Sequence, residues 1–176
     1  MVMTVTLPND ERLALQLQAH SAGVDPLCEP EHPMLLELMT YWRSRHPDGR
    51  LPTRADIDPL HIPKLLPSIF LVDALKGPPH FRYRLMGTRL AETYGIDITG
   101  KAVNEAFPPS IVGVVEALYR QVAEKRKPIR TYGKLIWLGK HHIAFESIHL
   151  PLAGNDGHVD MLFGGTVFTS AVANAH

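Results

Sequence analysis

Apolar and polar residues alternate from Phe81, and the period then lengthens to that of a helix. Phe81, Tyr83 and Leu85 are spaced to share one face of a strand, with arginines between them, which predicts a half-buried antiparallel strand. Gly87 ends the alternation, and the short helical stretch that follows is expected to end at Gly95, a residue type that tolerates a left-handed conformation.

The second half of the chain repeats these two patterns on a larger scale. After residue 110, apolar residues recur at offsets of three and four, which predicts one long amphipathic helix. They are Ile111, Val114, Val115, Leu118, Tyr119 and Val122. Three alternating stretches follow, 129–138, 141–150 and one from Val159, and the short turns between them predict antiparallel neighbours.

The first third of the chain has helical spacing and many prolines. Leu13 and Leu17 form a weak helical pattern, whereas His32 to His46 carries a stronger one, followed by prolines at 52, 59, 63 and 67. We therefore divide the chain into four parts. They are a partly ordered arm (1–30), a helix and proline-rich lead-in (31–66), a core (67–169) with its first strand over 68–75, and a tail (170–176).

The order of strand, strand, short helices, long helix and three strands resembles the PAS domain family. The motif Leu-Pro-x-Arg-x-x-Ile-Asp-Pro, residues 51–59, is similar to the lead-in of a bacterial subgroup of single-domain PAS proteins. The resemblance implies an α+β fold in which short helices and one long helix cross a five-stranded antiparallel sheet, with an N-terminal helical extension. It implies a stand-alone sensory or signalling module, not an enzyme, that binds a small ligand, a protein partner, or both.

Composition and charge narrow the set of partners. Lysine plus arginine and aspartate plus glutamate each total 18, so no net field attracts nucleic acid or an anionic membrane. No apolar run approaches the roughly 20 residues of a membrane span, and because the first residues lack a basic region followed by an apolar one, we expect no leader peptide. The single cysteine, Cys28, fits a reducing compartment. We expect a cytoplasmic protein that binds neither nucleic acid nor membrane.

Two groups of residues are predicted to carry function. An apolar pocket between sheet and helices is predicted to be a site for a small molecule, although the same residues would also suit a filled core. Its predicted lining is Tyr83, Leu85, Tyr94, Leu118, Trp137, Phe145 and Phe163. A homodimer is predicted to form through the N-terminal helix, at Leu35, Leu38 and Trp42, and a sheet face, and any output would pass to a separate signalling protein. The sheet face opposite the pocket, from which Arg84, Arg130 and Glu146 are expected to project, would suit a solvated surface or a packing site for the N-terminal helix or a second subunit.

The identity of a cofactor stays unknown, and two familiar ones find no support. Light-sensing PAS relatives attach flavin through a cysteine, and the corresponding stretch 91–107 has none. Haem-binding relatives often use a histidine on the long helix, and residues 110–126 contain none. Cys28 itself is expected to be an unreactive thiol in the arm, outside the core.

Two motifs resemble functional sites, one for phosphate and one for a metal ion, but neither meets the requirements of such a site. Gly95 to Lys101 has the spacing of a phosphate-binding loop, but Ala102 stands where a metal-binding hydroxyl is needed, and the loop follows a helix. His142 and Glu146 share a strand face, whereas His141 and His149 point the other way, so at most two ligands converge and no metal site is predicted. The four candidate metal ligands are thus His141, His142, Glu146 and His149.

A rival interpretation is a small enzyme or ligand carrier that uses the same pocket. It would anchor its substrate through Tyr83, His142 or Glu146. Acid–base catalysis needs an ionisable group in a water-poor cleft with a partner in hydrogen-bond reach, and no such pair is evident. If Glu146 faces the pocket beside a histidine, the enzyme interpretation gains support; if it lies on the other face of the sheet, that interpretation loses its main residue.

Overall fold

One antiparallel sheet of six strands organises the computed structural model, which describes residues 9–25 and 27–170. The strands lie in the order β1-β4-β5-β6-β2-β3. They are β1 (Ala22–Asp25), β2 (Ile69–Ala74), β3 (Phe81–Met86), β4 (Ile129–Leu135), β5 (Lys140–Ala153) and β6 (Val159–Ser170). The predicted count of five strands was one too few, because β1 forms within the N-terminal arm and pairs with the edge of β4. Residues 1–8 and 26 of that arm, and the tail after residue 170, lie outside the described residues.

Five α-helices join and cover these strands in the described part of the chain. They are α1 (Asn9–Ala19), α2 (Pro33–Ser44), α3 (Thr88–Tyr94), α4 (Val103–Ala106) and α5 (Pro109–Lys125). The long helix and the N-terminal helix are confirmed, and Gly95 ends α3 with a φ of 79°, as its residue type suggested. Trp137, predicted in a strand, instead lies in a single 3₁₀ turn, Ile136–Leu138.

Helices cover the sheet on both sides, and we name the two sides after the helices that cross them. On the α5 face, residues such as Phe70, Val72 and Leu162 pack beneath α1, α3, α4 and α5. On the α2 face, alternating residues of the same strands pack beneath α2 and the proline-rich segment. They include Leu71, Ile148, Leu150, Leu152 and Phe163. The sheet therefore separates two apolar cores.

Helix α2 packs against its own sheet, which corrects the predicted dimer interface. Leu35, Leu38 and Trp42 are 1%, 1% and 4% exposed, and the Trp42 Nε1 atom donates a hydrogen bond to the Pro151 carbonyl at 3.1 Å. Gly165 permits this close approach, since a Cβ atom there would lie 2.7 Å from Leu38 Cδ2. These side chains belong to the interior of the chain and are not available to a second subunit.

The proline-rich segment completes the α2 face with short 3₁₀ turns rather than a helix. Three such turns are Arg54–Asp56, Pro59–His61 and Leu66–Ser68, and Ile57, Ile62 and Leu65 point inward between or beside them. Cys28 is also buried here, so its predicted place outside the core was wrong. Burial is the main reason that the pKa of its thiol rises to about 12, which keeps the sulfur protonated.

A charged cluster on the α2 face fixes the start of α2 to the sheet. The Glu146 carboxylate accepts hydrogen bonds from the backbone N–H groups of Glu31 at 2.7 Å and His32 at 3.0 Å, and from Arg130 Nε at 2.8 Å. Arg130 also faces Asp25 and Glu31 and stacks over the Tyr132 ring. Burial opposes ionisation of Glu146, but these three hydrogen bonds outweigh it and lower the pKa of the carboxyl group.

None of the helices among the described residues has both the length and the apolar character needed to cross a membrane.

Candidate ligand-binding cavity

A cavity of about 100 Å³ lies between the α5 face of the sheet and helices α3 and α5. Aromatic side chains make most of its wall: Phe70, Tyr83, Tyr94, Phe107, Tyr119, Trp137 and Phe145. Leu17 of α1, His20 just after it and Ala22 of β1 contribute a further part of the wall. Sites for drug-sized ligands usually measure about 300–1,000 Å³, so this cavity suits a much smaller molecule, of up to roughly the size of one six-membered ring.

The structure brings five of the seven predicted pocket residues to this cavity. They are Tyr83, Tyr94, Leu118, Trp137 and Phe145. Tyr94 packs edge-on against Trp137, with ring centroids 5.3 Å apart, and Phe107 joins them. Ligand binding by these residues stays a prediction.

Leu85 and Phe163 lie elsewhere, and two different features of the sheet explain why. The pairing of β2 with β3 has an irregularity between Leu71 and Val72, after which the inward-facing residue of β3 is Met86, while Leu85 is 39% exposed. Phe163 is fully buried, but on the α2 face. Both faces of β6 are buried, so alternation alone does not tell which residues meet which helix.

Two tyrosine hydroxyls meet inside the cavity wall. Tyr83 and Tyr119, from β3 and α5, are 5% and 3% exposed and hydrogen-bond to each other. Burial raises the pKa of both phenols, and it raises that of Tyr94 to about 12. All three rings are therefore neutral near pH 7.

The sheet supplies a polar floor from three neighbouring strands. Thr131 on β4 lies 3.1 Å, Oγ1 to Nε2, from His149 on β5. Beside them, Ser147 Oγ lies 2.7 Å from Thr166 Oγ1 and donates to the Gly165 carbonyl at 3.1 Å. Strand pairing creates this group, because Thr131 faces Ser147 across one ladder and Ser147 faces Thr166 across the next.

His149 is the functional candidate that sequence reasoning did not place in the pocket. Its ring is 5% exposed and lies beside Phe70 and Tyr119, with centroids 5.5 and 5.8 Å away. Burial lowers its pKa to about 3, so the imidazole is neutral at physiological pH. Within residues 9–25 and 27–170, its Nδ1 atom finds no hydrogen-bond partner. The available signal was alternation, because residues 145, 147 and 149 share one face of β5.

Close approach of Phe70 to the sheet depends on one glycine. Gly164 lies opposite both Phe70 and His149, and a Cβ atom at this position would collide with the Phe70 ring. The Phe70 ring can therefore lie over Gly164, where its plane is inclined by 49° to that of the His149 ring.

The other chemical candidates do not assemble into a site. His141 and His142 are exposed, and Glu146 is bound to Arg130 on the α2 face, away from the cavity. Among the residues that the structure describes, no cluster of three His, Cys, Asp or Glu side chains is arranged to hold a metal ion. The loop from Gly95 to Lys101 connects α3 to α4, which is not the strand-to-helix context of a phosphate-binding loop.

The chain belongs to the PAS domain family, whose PAS_5 model matches residues 30–167. PAS domains are typically sensory modules without catalytic activity. The matched range includes α2, the lead-in and nearly the whole sheet, whereas α1 and β1 lie before it. Among curated proteins, no sequence matches this chain.

Several solved structures are similar to this chain at low sequence identity, and the first of the three that follow shares its fold. The PAS domain of BvgS from Bordetella pertussis is 20% identical, with a TM-score of 0.51 over 66% of this chain and 85% of that one. A PAS domain from Colwellia psychrerythraea is 18% identical, with a TM-score of 0.43 over 64% and 98% of the respective chains. An RNA-binding light-oxygen-voltage receptor is 13% identical, with a TM-score of 0.47 over 85% of this chain, which spans 39% of that receptor.

Proposed function

We propose that this PAS domain is a sensory module that binds a small molecule in the cavity on its α5 face. The observation that carries the proposal is the cavity itself, about 100 Å³ lined by aromatic rings and a neutral, incompletely bonded polar floor. A filled core would place apolar atoms there, since protein interiors pack to crystal-like density. Apolar walls with a few convergent polar groups are typical of small-molecule sites.

A ligand in this cavity would touch the elements that have to move for a signal to leave the domain. The N-terminal segment forms part of the wall, and Asp10 on α1 contacts both Gln121, at 2.9 Å, and Lys125 on α5. Strand β1 is held at the sheet edge by only four paired residues. We therefore propose that binding alters the docking of α1 and β1, and that a partner protein in trans reads this change.

The rival interpretation as an enzyme finds little support, because two of its three candidate anchor residues lie outside the cavity. Glu146 lies on the α2 face and is occupied by Arg130, and His142 is exposed on β5, so neither shares the cavity with Tyr83. The homodimer stays a prediction. Since Leu35, Leu38 and Trp42 are buried within the chain, a dimer would have to use another surface.

Native mass spectrometry of mildly purified protein tests ligand binding, by comparing the intact mass with that of the denatured chain. A noncovalent adduct of low mass is the expected result. Val115→Phe places a larger side chain in the cavity wall and should abolish the adduct, whereas Val112→Phe, on the same helix but outside the wall, should retain it. A cavity that takes up no small molecule from a broad library, or an adduct equal in both variants, would contradict the proposal.

A further inference from the structure

The hydrogens of the Tyr83–Tyr119 pair do not all find acceptors. Two hydroxyl groups bring two hydrogens, and their mutual hydrogen bond uses one of them. Within residues 9–25 and 27–170, neither hydroxyl makes a second hydrogen bond. Whichever tyrosine donates, one buried O–H group remains without an acceptor, and leaving it so is costly.

The Thr131–His149 pair has the same property. A hydroxyl and a neutral imidazole also bring two hydrogens, and the contact between Oγ1 and Nε2, at 3.1 Å, uses one. If Thr131 donates, the unpartnered Nδ1 atom of His149 carries the remaining hydrogen; if His149 donates, the threonine hydroxyl carries it. In both tautomers one donor is left over.

The neighbouring pair of Ser147 and Thr166, in the same polar floor, has no surplus donor. Ser147 donates its single hydroxyl hydrogen to the Gly165 carbonyl, so Thr166 must donate to Ser147 in their mutual contact at 2.7 Å. Both hydrogens of this pair are used. Among the buried polar groups that line the cavity, the surplus donors are therefore those of the tyrosine pair and of the pair that contains His149.

The two surplus donors lie close together in an uncharged region. Tyr83, Tyr119, Thr131 and His149 all line the same cavity, and the ring centroids of Tyr119 and His149 are 5.8 Å apart, so the two pairs are direct neighbours in its wall. Lys134 is the only Lys, Arg, Asp or Glu side chain among the described lining residues, and it is exposed. A charged ligand would lose its hydration without gaining a buried counter-charge.

We infer that the cavity is built for a small uncharged carbonyl compound, whose oxygen accepts hydrogen bonds from both the tyrosine pair and the Thr131–His149 pair. A carbonyl oxygen has two lone pairs and no hydrogen, so it satisfies both donors without adding another. Its apolar body would occupy the aromatic part of the cavity, whose volume of about 100 Å³ limits it to roughly the size of a six-membered ring. This inference rests on the proposed function.

The test compares cyclohexanone with methylenecyclohexane, a hydrocarbon of the same shape, in NMR titrations of wild type, Y83F/Y119F and Y132F. Y83F/Y119F removes the pair with a surplus donor and leaves no hydroxyl behind; Y132F removes the hydroxyl of an exposed tyrosine outside the cavity wall. We expect Y83F/Y119F to weaken cyclohexanone binding about tenfold. Methylenecyclohexane binding should be retained by both variants, and Y132F should leave cyclohexanone binding as in wild type.

The outcomes separate this inference from the proposed function. Retained hydrocarbon binding by Y83F/Y119F shows that the cavity is intact, so a selective loss for the ketone supports the carbonyl site. Equal ketone affinities in wild type and Y83F/Y119F, or tighter binding of cyclohexanecarboxylate than of cyclohexanone, would overturn the carbonyl inference and leave a ligand-binding cavity. Failure of wild type to bind any of the three probes would overturn both.

Discussion

The two faces of this sheet are made by the same strands and differ in how well they are filled. On β5, Ile148, Leu150 and Leu152 have no exposed surface and pack beneath α2, while Ser147 and His149 point into the cavity beneath α5. Directly beneath α2 this face is closely packed and apolar; the charged cluster lies at one edge, and an open groove beside Ile57, Ile62 and Leu71 lies at the other. The α5 face combines aromatic rings, neutral polar groups and free space.

This difference separates stability from binding within one small domain. Close packing gains dispersion and hydrophobic energy, whereas a cavity forgoes part of both. The lead-in and α2, matched together with the sheet by the family model, provide a second core that offsets the loss on the α5 face. Substitutions on the α2 face should therefore act on folding, and those on the α5 face on binding.

The largest expected effect is on the α2 face, at Trp42. Trp42→Ala removes a nearly completely buried indole and its hydrogen bond to Pro151, and should lower the free energy of unfolding by about 3–5 kcal/mol in urea denaturation. Leu36→Ala, on the exposed side of the same helix, is the matched control and should change it by less than about 0.5 kcal/mol. Similar costs for both variants would refute the close packing of α2.

The second largest effect is expected for the charged cluster of Glu146 and Arg130. Glu146→Gln should lower the free energy of unfolding at pH 7 by about 3 kcal/mol, because Arg130 loses its buried partner. The folded pKa of Glu146 is depressed, so its stabilising contribution is present above the unfolded value near 4.3 and disappears as the pH falls through the folded pKa. Wild type and variant should thus converge in denaturation at acidic pH. A constant difference down to pH 2 would show that the charge is not responsible.

Enlarging one side chain on each face compares their free space directly. Leu150→Phe should cost about 2 kcal/mol, because the α2 face has no room for the ring. Leu118→Phe, which extends into the cavity, should cost less than about 1 kcal/mol. Thermal denaturation of the two variants measures the difference, and an equal loss would mean that both faces are equally full.

The smallest expected effect is the pH dependence from His149. Its folded pKa is lowered to about 3, so the unfolded chain takes up a proton first, and stability falls as the pH drops below the unfolded value near 6.5. Between pH 7 and 5.5 this loss should be about 1 kcal/mol, and His149→Gln should remove it. Identical pH dependence in wild type and variant would indicate that the imidazole is not buried.

The sequence predicted the architecture where one period dominated a long stretch. The stripe from Ile111 to Val122 was enough to identify α5, and short turns were enough to pair β4, β5 and β6. Strand β1 was missed because Ala22 to Asp25 is too short for its alternation to be distinctive, and pairing with β4, more than a hundred residues away, determines its conformation. The family resemblance added the lead-in and the order of elements.

The site was less predictable because periodicity does not identify the covering helix. Phe163 alternates correctly but faces α2, and Leu85 was displaced by an irregularity that depends on β2. The stripe of Leu35, Leu38 and Trp42 showed that α2 is amphipathic, without showing that its partner is the chain's own sheet. The buried position of His149 could not be predicted, because it depends on Phe70 and Tyr119, which lie far away in the sequence and pack beside its ring in the fold.

A high-resolution crystal structure of mildly purified protein would test most directly whether the α5 face encloses a ligand site. The expected result is electron density for a compact, uncharged molecule between the aromatic wall and the floor, within hydrogen-bond distance of the Tyr83–Tyr119 pair and the Thr131–His149 pair. Side chains packed across this space, with His149 Nδ1 bonded to the protein itself and no room for a guest, would contradict it.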